Sequence, residues 1–230
     1  MNLDSDDEIN DNECLEYLYN KNKYLKVDII AFSLMNKKNN IIYKCNFNSQ
    51  IFRQPQLFNN IFSKENDIIN DYLITNKLIK KEVFLKAYEF LKNSIYNWKW
   101  NYFEDDIWNI LVHRYAKSEL CLDRLVYIYN YNNKSLMNKR FGTMEFQNIL
   151  YRHEMYKKIF SKKEEQKFLI AEYNILFNRL KSKLKILLLI NNNCINKQIR
   201  NIFEYFINNY NCSIYNRNII IDFLKKIPIN

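Results

Sequence analysis

The first third of the chain places its apolar residues in short blocks. From Tyr24 to Leu34 it reads Tyr-Leu-Lys-Val-Asp-Ile-Ile-Ala-Phe-Ser-Leu, apolar and rich in β-branched side chains, and a polar stretch, Asn36 to Asn40, separates it from a second run, Ile41 to Phe47. Two such runs across a polar turn predict a hairpin, with helix over the same residues as the alternative. Tyr72 to Ile79 predicts a third strand. After Lys80 the spacing becomes helical. Val83, Phe84, Ala87, Phe90 and Leu91 fall at i, i+3, i+4 intervals and predict a helix over Glu82 to Ser94 with one buried stripe.

Glu104, Asp105 and Asp106 place negative charge on a helix's first turn, where it opposes the dipole favourably. Ile107, Trp108, Leu111, Val112 and Tyr115 continue that helix, which is expected to end near Glu119, and Leu122 to about Asn130 predicts another. Further on, Ser161-Lys-Lys-Glu164 matches a capping box, and Leu169, Tyr173, Leu176, Leu180, Leu184 and Leu187 recur every three or four residues, a strong helical signal. Ile199 to Ile207 predicts one more helix and Ile219 to Leu224 a last short element.

Composition reinforces the helical expectation. The 230 residues include one Gly and two Pro, far below the usual share, which counts against folds that depend on positive φ. There are 37 Asn and 31 Ile, a bias that dilutes every short motif. The net charge is +10, yet residues 1–16 hold seven acidic side chains and no Lys or Arg, leaving +17 on the remainder. Such an acidic run reads as a solvated, disordered tail; a second reading lays it against the basic body, in competition with an anionic partner.

The five cysteines lie far apart without a Cys-x-x-Cys pair, and His113 and His153 stand alone, so no zinc pattern is present. The odd cysteine count, the acidic start and the absence of an apolar run of membrane-spanning length predict a cytoplasmic or nuclear protein without a membrane partner.

The order of elements resembles the BTB/POZ superfamily over about residues 26–130. Val27-Asp28-Ile29-Ile30 looks like that family's first strand, Phe58 and Phe62 keep the aromatic spacing of its first helix, and Phe84 through Tyr96 is similar to a later helix. Ser118 through Tyr129 looks like its closing helix pair. Phe47-Asn48, Pro55 and Tyr129 depart from the family pattern. The resemblance implies a BTB/POZ-like domain with a small sheet (17–130); with the acidic tail (1–16) and the helical spacing of the C-terminal region (131–230), which lies outside the resemblance, the expected protein is α+β and predominantly helical. The resemblance also implies Phe58 and Phe62 as core or dimer-facing residues, with protein partners that include a second copy and a cullin scaffold of a ubiquitin ligase.

No phosphate-binding glycine loop, Walker motif or Gly-x-Ser-x-Gly is present, and His113, beside Arg114 on an amphipathic helix, reads as a surface residue. The sequence therefore predicts a non-enzymatic interaction module, an adaptor or oligomerisation domain, with no catalytic, cofactor or metal residues. The alternative is a basic all-helical nucleic-acid-binding protein using residues 134–200, which hold 15 Lys and Arg against five Glu. Lys157, Lys158, Lys162, Lys163, Arg179, Lys181, Lys183 and Lys185 would neutralise phosphates there, with Tyr151 and Tyr156 stacking on bases.

Overall fold

The computed structural model describes residues 3–45, 50–57, 74–94, 104–130 and 155–162, with ten further positions between 197 and 225. The chain divides into two compact units, residues 1–139 and 140–230. In the first, the elements are β1 (Glu8–Ile9), α1 (Cys14–Leu25), β2 (Ile29–Asn36), β3 (Ile41–Tyr43), β4 (Ile51–Arg53), β5 (Lys77–Ile79), α2 (Lys81–Ser94), α3 (Glu104–Tyr115) and β6 (Ser118–Tyr129).

The sheet is built on two long parallel strands, β2 and β6, in register from Ile29 opposite Glu119 to Asn36 opposite Tyr129. Short antiparallel strands flank them. On the β6 edge, β4 pairs with its start and β1 with its end. On the β2 edge, β5 pairs with its start and β3 with its end. Every residue from Ile29 to Leu34 is buried, as expected of a strand covered on both faces.

The predicted hairpin is present as β2 and β3. Its turn needs a left-handed residue, and Asn40 takes it at φ 53°. The Asn36 and Asn39 side chains accept from the Lys38 and Ile41 amides at 3.0 and 3.2 Å. Asn thus does at this turn what Gly does in most chains. Lys26 does the same after α1, at φ 51°, donating its amide to the Asn22 carbonyl.

Alternation of side chains assigns the two faces of the sheet. Ile30, Phe32 and Leu34 of β2 and Leu120, Leu122, Val126 and Tyr127 of β6 form one core with Cys14 and Leu18 of α1. Burying each large apolar side chain contributes roughly 1.5–3 kcal/mol. Ile29, Ala31, Ser33, Lys77, Glu119 and Cys121 take the opposite face, the face that α3 reaches through His113. On that side α2 and α3 pack together, with the Phe84 and Trp108 rings stacked 4.8 Å apart and Val83, Ala87, Leu91, Ile107, Ile110 and Leu111 buried.

The predominantly helical, BTB/POZ-like architecture is corrected by this sheet. Ser118 to Tyr129, expected as a closing helix pair, is one 12-residue strand. The mistake has a physical origin. Opposite Phe32 to Leu34, the register of β6 jumps from Leu122 to Leu125 and then to Tyr127. This bulge shifts the phase of alternation, so Leu122, Leu125, Val126 and Tyr129 imitate helical spacing.

The acidic segment, expected as a solvated tail, supplies β1, and Asp11 joins it to the body: its carboxylate lies 3.3 Å from Arg124 and accepts the Glu13 amide at the start of α1. In the second unit, Met155, Tyr156, Ile159 and Phe160 are buried on a helical turn over 155–159, and the longer helices predicted for that region lie outside the described residues.

Candidate functional site

Strand β6 carries a residue of every principal polar cluster in the first unit. At its start, His113 is buried and its Nε2 lies 3.3 Å from Glu119 Oε2, while Nδ1 faces the Asn109 carbonyl at 2.7 Å. Both ring nitrogens meet oxygens. Burial works against ionising Glu119, but attraction to His113 and the hydrogen bond it donates, with further attraction to Lys77, outweigh it and hold the carboxyl below its usual range. Lys77, itself buried, donates to Asn76 Oδ1 at 3.0 Å.

The connection beneath this cluster is closed by side chains. Gln54 Nε2 donates to the His113 and Ala116 carbonyls at 2.8 and 3.0 Å, satisfying the end of α3. Asp28 accepts the Lys117 amide at 2.8 Å, so the turn from α3 into β6 is tied to the start of β2. His113, expected on the surface, is therefore part of the interior.

The bulge offers different chemistry. Ser33, buried in β2, donates its hydroxyl to Asp123 Oδ1 at 3.2 Å and accepts the Cys45 amide at 3.1 Å. Asp123 is open to solvent, its side chain about a third exposed, and Lys44 Nζ approaches its other oxygen at 3.5 Å. The neighbouring Arg124 turns to the α1 side, where its guanidinium lies 4.4 Å over the Tyr17 ring. A β-bulge that aims one carboxylate outward from a buried strand pair is a common device at functional sites. Asp123 is thus held by a hydroxyl on one oxygen and by an ammonium on the other, with its side chain reaching solvent.

Neither Ser33 nor Asp123 was singled out for chemistry by the sequence. The available signal was the interruption of two apolar runs, by Ser33 within 29–34 and by Asp123-Arg124 within 120–128. Of the residues the sequence proposed, Lys158 and Lys162 are exposed and Lys157 half-buried in the second unit. Tyr156, offered as a base-stacking residue, is buried with its ring centroid 6.1 Å from that of Phe160. Phe58, Phe62, Tyr151, Lys163, Arg179, Lys181, Lys183 and Lys185 lie outside the described residues. Among the described residues no group of three or more His, Cys, Asp and Glu could hold a metal ion, and no helix is long and apolar enough to cross a membrane.

No family model matches the sequence, and no curated protein matches it. The fold is similar to that in the crystal structure of S. aureus TarS 1-349 in complex with UDP-GlcNAc, with a TM-score of 0.54 and 13% sequence identity. The match covers 98% of this chain and 56% of that one, so this chain spans a little over half its length.

This likeness, with the strand at 118–129, overturns the reading of a helical, non-enzymatic adaptor or oligomerisation module and its nucleic-acid-binding alternative. The fold is a mixed sheet with helices, similar to part of that other protein.

Proposed function

We propose that this chain is an enzyme of the glycosyl-transfer class that takes a nucleotide sugar, with Asp123 as the carboxylate addressing the reacting hydroxyl. The likeness in fold to a protein crystallised in complex with UDP-GlcNAc carries this reading. The oriented Asp123 supplies chemistry that fits it. In such a reaction the acceptor hydroxyl gives its proton to the carboxylate and its oxygen bonds to the anomeric carbon. The bond from that carbon to the diphosphate oxygen breaks, and the nucleoside diphosphate leaves with the electron pair. A carboxylate within hydrogen-bond reach of the attacking hydroxyl is the usual general base for that step. Ser33 acts as a positioning residue, and Lys44 places positive charge beside the site.

The test is binding and turnover by the full chain. Added UDP-GlcNAc at 100 times its dissociation constant should stabilise the fold by about 2.7 kcal/mol, read as a rise in melting temperature. Release of UDP in the presence of an acceptor sugar should fall at least about a hundredfold in Asp123→Asn, the scale of a lost general base, with binding retained. Absence of any melting shift across UDP-, GDP- and ADP-sugars at millimolar concentration overturns the proposal.

A further inference from the structure

The carboxyl ends of β2 and β6 lie side by side, the Lys37 amide donating to the Tyr129 carbonyl at 3.0 Å. In open sheets with parallel strands, this is the end at which ligands collect. Here the chain's own acidic segment sits over it. Asp7 Oδ1 accepts the Asn130 backbone amide at 2.8 Å, and its other oxygen accepts the Tyr127 hydroxyl in a short hydrogen bond. Glu8 Oε1 accepts from the Asn130 side-chain amide at 2.8 Å and from Lys37 Nζ at 3.2 Å. The second hydrogen of that amide goes to the Asp6 carbonyl, also at 2.8 Å. Thus two carboxylates from adjacent residues converge on a backbone amide, a side-chain amide, a phenol and an ammonium.

We propose that these donors, Asn130, Tyr127 and Lys37, form an anion site for a diphosphate group, and that Asp7 and Glu8 occupy it as a built-in competitor. The donor set matches the ligand. A diphosphate presents several acceptor oxygens and at least two negative charges, and the two carboxylates supply the same number of charges to the same donors. The interactions also favour the anionic form of the occupant: the Asn130 amide, then Lys37, holds the Glu8 carboxyl below its usual range.

The cover is short. β1 pairs Glu8 with Ile128 and Ile9 with Tyr127, the Asn10 amide donates to the Val126 carbonyl at 2.9 Å, and Lys37 and Glu8 are both about half exposed, a pair of small energetic worth. Short, exposed pairing of this kind belongs to the low-stability end of a fold and opens locally. The site lies past the carboxyl end of β6, apart from Asp123, so this inference stands independently of the proposed function.

The experiment is titration of the full chain with inorganic pyrophosphate and, separately, with UDP-GlcNAc, in the wild type and in Asp7→Asn/Glu8→Gln. The amides keep the shape and most hydrogen bonds of β1 while removing both charges. Pyrophosphate affinity should rise about tenfold in the double variant, on the scale of recovering one charge-assisted hydrogen bond. The further substitution Lys37→Ala in that background should cancel the gain. Pyrophosphate affinity within twofold of wild type, or lower, overturns the inference. A gain for pyrophosphate with no UDP-GlcNAc binding in either protein supports the anion site and sinks the glycosyl-transfer reading. UDP-GlcNAc binding without any change in the pyrophosphate titration sinks the anion site alone.

Discussion

Glu119 and His113 are six residues apart in the chain and 3.3 Å apart in space, on opposite sides of the turn that joins α3 to β6. The contact forms because the helix stops at Tyr115. Ala116 and Lys117 lead into β6, and Glu119, the second residue of the new strand, meets the buried His113 of the helix's last turn. A helix continuing to Glu119 would have set the two about 120° apart around its axis.

Removing one partner strands the other. His113→Ala should cost about 3–5 kcal/mol, the usual consequence of leaving a buried charge uncompensated. Replacing both, as His113→Leu with Glu119→Leu, should cost less than the single change. Urea unfolding of the two variants and the wild type measures this, and a single substitution costing no more than about 1 kcal/mol would remove the pair from the stabilising contacts.

The same pair sets an acid limit. Because Glu119 titrates below its ordinary value of 4.5 in the folded state, it stabilises the protein fully at higher pH, and that stabilisation fades as pH falls through the folded value. Unfolding midpoints should drop as pH falls below the ordinary value of 4.5, more steeply in the wild type than in Glu119→Gln. Equal slopes in the two proteins would contradict the assignment.

On α1, burial predicts a contrast between neighbours four residues apart or fewer. Leu18 is completely buried in the core beneath β2 and β6, whereas Leu15 is 50% exposed. Leu18→Ala should destabilise by about 2–5 kcal/mol, and Leu15→Ala should stay within about 0.5 kcal/mol of wild type. Thermal or chemical unfolding separates them.

Cys14 should resist thiol reagents while the fold holds. It is buried, its Sγ lies 3.6 Å from the Leu125 carbonyl, and burial, followed by the hydrogen bond to Asp11, pushes the thiol up. At neutral pH its alkylation should track unfolding rather than reagent concentration. Mass spectrometry of pulse-labelled protein with and without urea checks this, and rapid native labelling at Cys14 would contradict it.

The parts of the fold written locally were legible. β-branched runs on either side of an Asn-rich turn identified the β2–β3 hairpin, and three-and-four spacing identified α2 and α3. Acidic residues at 104–106 marked where α3 begins. What escaped depended on pairing partners far along the chain. β1 is two residues long and β4 three, too short to show a period, whereas β5, Lys77–Ile79, falls at the end of the strand predicted over 72–79. The bulge gave β6 a false one. The Ser33–Asp123 contact spans 90 positions, and nothing local distinguishes that Asp from a solvated one.

The placement of β1 also has a bearing on synthesis. Glu8 and Ile9 are made well before their partners, Ile128 and Tyr127. At the usual pace of translation their partners follow about 6 to 24 seconds later, with further delay before β6 clears the ribosome. Until then α1 has β2 against which to pack and half of its eventual cover. A nascent chain in that condition is a natural client for a chaperone, and the sheet can close only once β6 has emerged.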